Sequence, residues 1–468
     1  MKRIGSEKSN GELDMLTNMT RRDILKASAA FGAFNIIPAK VLFGATAPSN
    51  QLTRAIIGFG GIARSGNHLG FKGSRLVGLC DPDALHVQAG LSESRQAGWG
   101  AVKAYRDFLA VLDDPGVDIV HICTPPHWHG CMSVMAARTG KDIWCEKPMT
   151  RTLGEGKRVM EYVKAKGRMF RLNTWFRYQN PFYGLGSPVK PLYQLRAAGF
   201  LGDGPVRCVL GPGQGFDWKL DHSGRVNLAP EPVPSTFDWE MWLGPAPWKP
   251  YNRHRTHETF RGYWDYNGGG IADMSQHYFD AIQYLLGKDE TSPVRIDYQG
   301  PRQHPELVGR FDRITCTYAD GTEIVLDGNR SLMDEPFMTG ANGATVWPAP
   351  DKDGKITTWT SPGDDRLFRM KDGQGNSLDV ARLLSDLPEP PAQQTDFMDS
   401  VRTRRRFCLN EETGFRSCTL TNLSIVAQRL GRGFDFDPVT LRAKNDVSAD
   451  RYLYQAMREP WEREFMKG

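Results

Sequence analysis

A glycine-rich turn at 58–63 has the spacing that lets a dinucleotide approach the backbone. It directly follows a short apolar run, Ala55–Ile57, and precedes a predicted helix. Gly58 permits a tight turn, Gly60 leaves room for a pyrophosphate, and Ala63 allows the helix to pack closely on the strand. The amino end of that helix would then face the phosphates. The alternative, a glycine-rich turn that binds nothing, stays open on these residues alone.

An acidic residue stands where the ribose of such a dinucleotide would lie. Asp81 comes 23 positions after Gly58, at the end of a second apolar run, Leu76–Cys80. A carboxylate there accepts hydrogen bonds from the adenosine ribose and repels a 2′-phosphate. The sequence therefore predicts NAD as the cofactor, in preference to NADP.

Two further apolar runs end in residues that could take part in chemistry. Ile119–Cys123 leads into Thr124–His129, and Ile143–Cys145 leads into Glu146–Pro148. Ligands of doubly wound sheets lie at the carboxyl ends of the strands. A residue before proline favours extended geometry and the bond could be cis, so Lys147 would project over the cofactor from a stiff site. Taken singly, each segment is more readily explained as an ordinary turn; together they indicate a site. The predicted cofactor contacts are Gly58, Gly60, Gly61, Ile62, Asp81, Thr124, Pro125, His129, Glu146 and Lys147.

An acid and a histidine four residues apart form the last candidate pair. On a helix, Asp273 and His277 share one face. A carboxylate that fixes the tautomer of a histidine and raises its basicity is what proton removal from an alcohol requires. The predicted catalytic residues are Lys147, Asp273 and His277, and the sequence does not decide whether His277 or Lys147 is the base. The alternative is a helix amino end in which Asp273 interacts with the dipole and His277 packs in the core. The spacing does not decide between the two.

Residues 216–266 hold eleven aromatic residues, about twice the density of the whole chain. Aromatic faces with polar side chains between them suit pyranose rings, which have an apolar face and a rim of hydroxyls. Most of these side chains should pack in the core and loops, and one or two should line a site. The eleven are Phe216, Trp218, Phe237, Trp239, Trp242, Trp248, Tyr251, Phe260, Tyr263, Trp264 and Tyr266. The predicted substrate contacts are Arg177, Trp264 and Tyr266.

The pattern of elements predicts an α/β fold in two parts. Apolar runs without polar alternation are typical of parallel strands buried on both faces, and their spacing before residue 171 fits βαβ units. Later segments alternate, as Arg313–Tyr318 and Thr322–Leu326 do, which indicates antiparallel strands. We therefore expect a doubly wound Rossmann sheet, then an α+β domain with a mixed, largely antiparallel sheet. The predicted bounds are 51–171 for the first domain, 172–440 for the second and 441–468 for a carboxy-terminal tail.

Three helices are predicted in the second domain, at 271–286, 395–404 and 417–430. A proline-rich loop, Leu387–Pro391, precedes the second of these helices, and Thr395 could cap its amino end.

Composition narrows the classes of protein that this chain could be. The 468 residues are 40% hydrophobic and 24% charged, as in soluble globular proteins, and exceed the usual size of one core. The net charge of +5 is small, and the basic run Arg402–Arg406 is short, so nucleic acid is not a predicted partner. Eight cysteines show no CxxC spacing, so neither a zinc knuckle nor a disulfide framework is indicated and no metal site is predicted.

The first 50 residues have the features of an export signal rather than of a fold. Thr20–Lys26 contains a twin-arginine pattern, a moderately apolar run extends from Ala27 to Ile37, and Ala45–Ala47 offers small residues for cleavage. The apolar run is too short to span a bilayer stably. We expect export in the folded state to the periplasm or beyond, with an amphipathic amino-terminal helix as the alternative.

Taken together, these motifs resemble the glucose–fructose oxidoreductase / inositol dehydrogenase family, known as Gfo/Idh/MocA. The resemblance extends from about Arg54 to Trp461, and the twin-arginine signal and the tail from Asn445 to Trp461 are similar to a branch of the family that includes secreted bacterial proteins. It is carried by GFGGIA at 58–63, CDPD at 80–83, TPPHWH at 124–129, EKP at 146–148 and DMSQH at 273–277. It implies NAD(P) at the strand ends, Lys147, Asp273 and His277 at the catalytic positions, and the second-domain sheet as a homo-oligomer face. Pro126 and Ser275 depart from the family pattern, so the resemblance does not determine which residues form the substrate pocket.

Three functions remain as alternatives. The first is NAD-dependent hydride transfer from a secondary alcohol of a sugar, polyol or glycoside. The second is a redox-neutral cycle on a retained cofactor, including cleavage of a glycosidic bond through a transient ketosugar, because free NAD is scarce outside the cytoplasm. The third is a non-catalytic sugar-binding protein on the same scaffold, since fold does not fix function.

Overall fold

A six-stranded parallel sheet forms the first part of the chain. The computed structural model describes residues 51–65, 73–174, 177, 185, 187–211, 224–329, 335–350, 353 and 366–468, so the predicted leader lies outside the described residues. The strands are β1 (Leu52–Ile57), β2 (Ser74–Cys80), β3 (Lys103–Tyr105), β4 (Ile119–Ile122), β5 (Asp142–Glu146) and β6 (Phe170–Asn173). Their order is β3-β2-β1-β4-β5-β6, and every pairing is parallel. This is the Rossmann order, with its crevice between β1 and β4.

Helices join these strands and are capped by short polar side chains. They are α1 (Gly61–Ser65), α2 (Ala84–Gln96), α3 (Phe108–Asp113), α4 (His129–Arg138) and α5 (Leu153–Ala165). Asp83, Asp107 and Thr152 each accept a hydrogen bond from a backbone N–H of the first turn of α2, α3 and α5. These caps fix where each helix begins, and therefore the shape of the loops at the strand ends.

The second sheet has ten strands among the described residues and is mostly antiparallel. Its strands are β7 (Arg207–Leu210), β8 (Arg295–Gln299), β9 (Arg313–Thr317), β10 (Glu323–Asp327), β11 (Met338–Thr339), β12 (Thr345–Trp347), β13 (Arg369–Lys371), β14 (Ser377–Leu378), β15 (Phe434–Asp437) and β16 (Arg442–Ala443). The order is β14-β13-β12-β11-β7-β10-β9-β8-β15-β16. The pairing of β7 with β10 is parallel, and the two strands predicted from alternation pair antiparallel as β9 and β10. The predicted fold class is confirmed.

Two long helices carry the core of the second part. The helices there are α6 (Val189–Ala197), α7 (Trp239–Leu243), α8 (Gly269–Leu286), α9 (Val380–Ser385), α10 (Phe397–Thr403), α11 (Glu411–Leu430), α12 (Val447–Leu453) and α13 (Trp461–Met466). Helix α8 packs on α11, and the Ser275 and Thr421 hydroxyls lie 2.8 Å apart between them. Ser275 is fully buried, so this departure from the family pattern faces α11.

The amino end of α10 differs from the prediction. Asp396, not Thr395, caps the helix by accepting a hydrogen bond from the backbone N–H of Asp399. The basic run that follows is paired with acids: Arg404 lies 2.8 Å from Asp142, and Arg406 lies 2.7 Å from Glu411. This agrees with the reading of the run as a helix end.

The carboxy-terminal segment packs on the first sheet's helices. The Trp461 ring in α13 meets Trp128 edge to face at 4.7 Å, and Arg138 lies 3.0 Å from the Glu464 carboxylate. All eight cysteines are free, and seven are buried. In the ranges described, no helix is long and apolar enough to cross a membrane.

Candidate active site

A cleft of about 710 Å³ opens at the carboxyl ends of β1, β2, β4 and β5. This volume is within the roughly 300–1,000 Å³ of ligand pockets. The opposite wall comes from the second part of the chain, including Trp242, Phe260, Arg261 and α8. All predicted cofactor contacts except His129 line this cleft, as do the three predicted catalytic residues.

The glycine turn fits a dinucleotide. Gly58 has φ +89°, and a Cβ there would lie 2.8 Å from backbone atoms of Cys123 and Thr124, so no larger residue fits. A Cβ on Gly60 or Gly61 would meet nothing within 4 Å. Gly60 and Gly61 therefore leave open space at the cleft surface, which is the space a pyrophosphate needs.

Gly58→Ala should destabilise the protein and weaken nucleotide binding. The added methyl group meets rigid backbone in a left-handed conformation, which we expect to lower the free energy of unfolding by roughly 1–3 kcal/mol. The matched variant Gly60→Ala should keep wild-type stability and weaken only nucleotide binding, because its Cβ enters the open space. Thermal unfolding and NAD titration of both variants measure this. Equal stability of Gly58→Ala and the wild type would contradict the packing argument.

Asp81 ties the glycine turn to the end of β2. Its Oδ2 accepts a hydrogen bond of 2.6 Å from the backbone N–H of Phe59, and its Oδ1 accepts one of 2.8 Å from that of Asp83. Each carboxylate oxygen can accept a second bond. Asp81 also lines the cleft; its Oδ2 lies 3.3 Å from His86 Nδ1, so the remaining lone pair on Oδ1 is the one available to a ribose.

At the other end of the cleft, two cations share one carboxylate. The Lys147 ammonium donates a hydrogen bond to the backbone carbonyl of Asp273 and lies 3.4 Å from Asp273 Oδ1. Arg261 Nε donates to the same Oδ1 at 2.8 Å. The peptide bond between Lys147 and Pro148 is cis, as the sequence allowed. These contacts hold the Lys147 ammonium at the cleft wall.

His277 lies beside this group, one turn further along α8. Its side chain is buried, and burial lowers its pKa well below the usual range, with Lys147 acting in the same direction and Asp273 opposing. The imidazole is therefore neutral near pH 7 and able to accept a proton. The carboxylate of Asp273 reaches Lys147 and Arg261, and its predicted role in orienting His277 stays a prediction.

Glu146 is held by a buried polar network. Its Oε1 accepts a hydrogen bond of 2.7 Å from Asn173 and lies 3.1 Å from His121 Nε2. Arg54 lies 3.1 Å from His121 Nδ1. Because Arg54 can only donate, Nδ1 accepts and Nε2 donates to Glu146. Burial raises the pKa of Glu146 to about 7, against the lowering effect of Asn173 and Lys147.

Helix α8 is locked to the end of β5 by one side chain. Gln276 Oε1 accepts a hydrogen bond of 2.7 Å from the backbone N–H of Met149, and its amide nitrogen donates to Gly414 O at 2.9 Å. Gln276 is fully buried, so these bonds are not exchanged with water. They tie α8, which carries His277, to the segment that directly follows Lys147 and Pro148.

Comparison with known families agrees with this geometry. Residues 52–174 match the oxidoreductase family's NAD-binding Rossmann fold, and residues 185–353 and 351–463 match the same family's C-terminal alpha/beta domain. The chain belongs to the Gfo/Idh/MocA oxidoreductase family.

Two relatives of this Gfo/Idh/MocA chain act on sugar-like compounds by their names. Scyllo-inositol 2-dehydrogenase (NAD(+)) of Bacillus subtilis is 36% identical over 128 residues, which cover 26% of this chain and 36% of that protein. Levoglucosan dehydrogenase of Pseudarthrobacter phenanthrenivorans is 40% identical over 192 residues, covering 41% and 38%. The chain thus spans well under half the length of these curated relatives.

A solved structure shares the fold. The aldose-aldose oxidoreductase from Caulobacter crescentus, complexed with glycerol, superposes with a TM-score of 0.51 at 19% identity, over 82% of this chain and all of that one. At this identity the likeness shows the fold alone.

The histidines of the TPPHWH motif are structural in this family member. His127 Nε2 lies 3.0 Å from the backbone carbonyl of Trp242, and burial lowers the pKa of His127 to about 3. His129 lies outside the cleft lining, with its ring nitrogens 2.7 and 2.6 Å from the carbonyls of Thr124 and Pro148. The structure thus places His129, a predicted cofactor contact, between the two strand-end loops rather than at the cleft surface.

The three predicted substrate contacts lie away from the cleft. Arg177 is buried in ion pairs of 2.7 Å with Asp280 and 2.6 Å with Asp289, which use its guanidinium. The Trp264 indole donates to a backbone carbonyl, and Tyr266 is fully buried against aromatic rings. The structure therefore does not bring these three side chains to the cleft, because packing and ion pairs inside the protein occupy them.

Other side chains of the same segment face the cleft. Of the nine described aromatic residues among the eleven, Trp242 and Phe260 line it, and Arg261 lies beside Phe260. Sequence reasoning missed Arg261, because nothing in its immediate sequence distinguishes it from its neighbour Arg255, whose side chain is buried. The aromatic density of 216–266 was the available signal, but it did not show which residues face inward.

Proposed function

We propose that this protein is an NAD-dependent oxidoreductase that oxidises a secondary alcohol of a sugar, polyol or glycoside. The observation that carries the proposal is the convergence of Lys147, Asp273 and His277 on the cleft that the glycine turn also lines. Bound NAD would supply the hydride acceptor. The relatives named above, scyllo-inositol and levoglucosan dehydrogenases, support the substrate class.

His277 is the proposed base. A buried, neutral imidazole accepts the hydroxyl proton of the substrate while the adjoining C–H bond breaks. Taking up the proton places a positive charge beside Asp273, which offsets part of the cost of charging a buried group.

Lys147 is proposed to stabilise the negative charge that develops on the substrate oxygen. Its side chain is 11% exposed, so water screens the ammonium little, and a cation in such a place contributes several kcal/mol. Trp242 and Phe260 offer apolar faces to a sugar ring from the opposite wall.

We propose NAD rather than NADP, and export in the folded state. Asp81 at the cleft would repel a 2′-phosphate. The twin-arginine pattern at Arg21 and Arg22 supports export. Export also favours the second candidate, a redox-neutral cycle, since a cofactor that is not replaced must be reoxidised on the same enzyme.

The test combines nucleotide analysis with a substrate panel. Mass spectrometry of nucleotide released by denaturing the purified protein should find NAD(H) in preference to NADP(H). Incubation with sugars, polyols and glycosides should give a keto product from at least one. Reduced nucleotide accumulating with product indicates net oxidation, and product without it indicates the redox-neutral cycle. A chain that binds no nucleotide when titrated with NAD overturns the proposal.

Arg261→Met should lower kcat roughly tenfold. It removes a charge-assisted hydrogen bond to Asp273, worth about 1.5–3 kcal/mol when shielded from water and less here, where the Arg261 side chain is 28% exposed. Steady-state kinetics measure it, with KM changing less than kcat if Arg261 positions Asp273. The matched control is Arg253→Met, an exposed arginine of the same segment that pairs with Glu231. Equal losses in both variants would contradict a specific role.

A further inference from the structure

Three metal-ligating side chains from distant parts of the chain converge at the cleft rim. Asp83 and His86 lie at the start of α2, and His257 begins the 3-10 segment 257–262. One ligand atom from each lies within 4.8 Å of the other two. The sequence predicted no metal site because the cysteines lack CxxC spacing, and that criterion does not detect ligands that are far apart in the chain, as His257 is from Asp83 and His86.

The carboxylate of Asp83 is aimed by its role as a helix cap. Its Oδ1 accepts a hydrogen bond of 3.0 Å from the backbone N–H of Leu85, which leaves Oδ2 facing His257 Nε2 at 3.7 Å. Asp83 is 8% exposed. One carboxylate oxygen of Asp83 is thus hydrogen-bonded to the backbone, and the other faces the His257 imidazole.

Backbone hydrogen bonds tie the residues around Asp83 to residues 236–238, and the Phe237 ring in that stretch lies 5.9 Å from the His257 ring. Ala84 N donates to Thr236 O at 2.8 Å, and Asp238 N donates to Pro82 O at 2.9 Å. The residues around Asp83 therefore have a fixed partner in the second part of the chain, which lowers the entropy cost of assembling ligands from both.

A second carboxylate lies behind His86. His86 Nδ1 is 3.3 Å from Asp81 Oδ2. A metal-binding histidine almost always directs its other ring nitrogen to a carboxylate or carbonyl, which fixes its tautomer and raises its basicity. Asp81 gives His86 that partner. Because Asp81 is not one of the three ligands, this contact is an observation separate from the cluster.

The charge and exposure of the cluster also suit a cation. Asp81 and Asp83 are both buried, so the two imidazoles lie in a negative field. The His257 side chain is 48% exposed, which gives an ion a path to the site.

We propose that Asp83, His86 and His257 bind one divalent transition metal of the zinc type, linking the start of α2 to the segment 257–262. Two imidazole nitrogens and one carboxylate oxygen are ligands that zinc prefers, with water in the fourth position. Bonds of about 2.0–2.2 Å place the ligand atoms about 3.3 Å apart, so the cluster must contract on binding. The exposed ring of His257 can make that movement.

The test is a titration of the untagged full chain with Zn²⁺ alone, after chelator treatment, at pH 8. The wild type should bind one Zn²⁺ more per chain than His257→Gln, or bind it at least tenfold more tightly, and its unfolding midpoint should rise with Zn²⁺. The control His304→Gln changes an exposed histidine outside the cluster and should match the wild type. The assay uses neither nucleotide nor substrate, so its outcome is separate from the proposed function.

The comparison between variants distinguishes this site from the cysteines, which Zn²⁺ could also bind. His86→Gln removes the other histidine ligand and should lose Zn²⁺ binding to the same extent as His257→Gln. It serves as the test variant if His257→Gln does not fold. Equal Zn²⁺ affinity in the wild type and either ligand variant overturns the proposal, as does no Zn²⁺ uptake by the wild type.

Discussion

Lys147→Met should lower kcat by roughly a hundredfold to a thousandfold while the chain still folds and binds NAD. The ammonium is held at the cleft wall by Asp273, and methionine keeps its length without its charge. Loss of one well-placed donor to a developing oxyanion costs about this much in characterised enzymes. The effect should fall on kcat more than on KM, because the charge on the substrate oxygen exists only in the transition state.

Single-turnover kinetics and NAD titration measure these two quantities separately. The matched control is Lys164→Met, which removes an exposed lysine of α5 that pairs with Glu412. It should leave kcat unchanged. Full kcat in Lys147→Met would remove Lys147 from the mechanism.

His277→Asn should lower kcat by roughly two to four orders of magnitude. Asparagine keeps a polar side chain at this buried position but cannot accept the proton, and general base catalysis is worth this range. Because the pKa of His277 lies well below its usual range, kcat/KM of the wild type should stay level through neutral pH. It should fall only in acid, where the imidazole gains a proton before substrate binds.

The pH profile of the variant provides the check. His277→Asn should lose that acid limb along with its activity, whereas His304→Asn, a change at an exposed histidine, should retain both. Wild-type kcat in His277→Asn would assign the base elsewhere, with Lys147 as the remaining candidate.

The depressed pKa of His277 also predicts how the free energy of unfolding changes with pH. A histidine whose folded pKa is depressed loses stability as pH falls below its unfolded value of about 6.5, because only the unfolded chain takes up the proton freely. His277→Asn should therefore be less sensitive to acid than the wild type in denaturant titrations between pH 7 and 5. Parallel losses of stability in both proteins would contradict the burial of a neutral imidazole.

Much of the first sheet and its site could be predicted because both depend on local sequence. Apolar runs such as Ile119–Ile122 have no polar alternation, and parallel order then brings the ends of β1, β4 and β5 to one edge. The glycine turn, Asp81 and Lys147 each follow a strand directly, so finding the strand places the residue. A helix was predicted over 271–286, and the spacing of four residues placed Asp273 and His277 on one face of it.

The opposite wall of the cleft could not be predicted, because long loops and tertiary packing determine which of its side chains face inward. Arg261 and Arg177 are both arginines without a strand or helix pattern, yet one faces the cleft and the other is buried between Asp280 and Asp289. The edge strands β14 and β16 have two residues each and give no periodic signal. At α10, two polar residues stood at the amino end, and Asp396 rather than Thr395 took the capping position.

A crystal structure of the full chain with NAD tests the central claim most directly. The account predicts the pyrophosphate against Gly60 and Gly61, and the nicotinamide ring in the part of the cleft that Lys147 and His277 line. Both side chains should then lie within hydrogen-bond reach, about 2.6–3.2 Å, of a substrate hydroxyl bound beside the ring. NAD bound elsewhere, or a nicotinamide ring remote from either side chain, would contradict it.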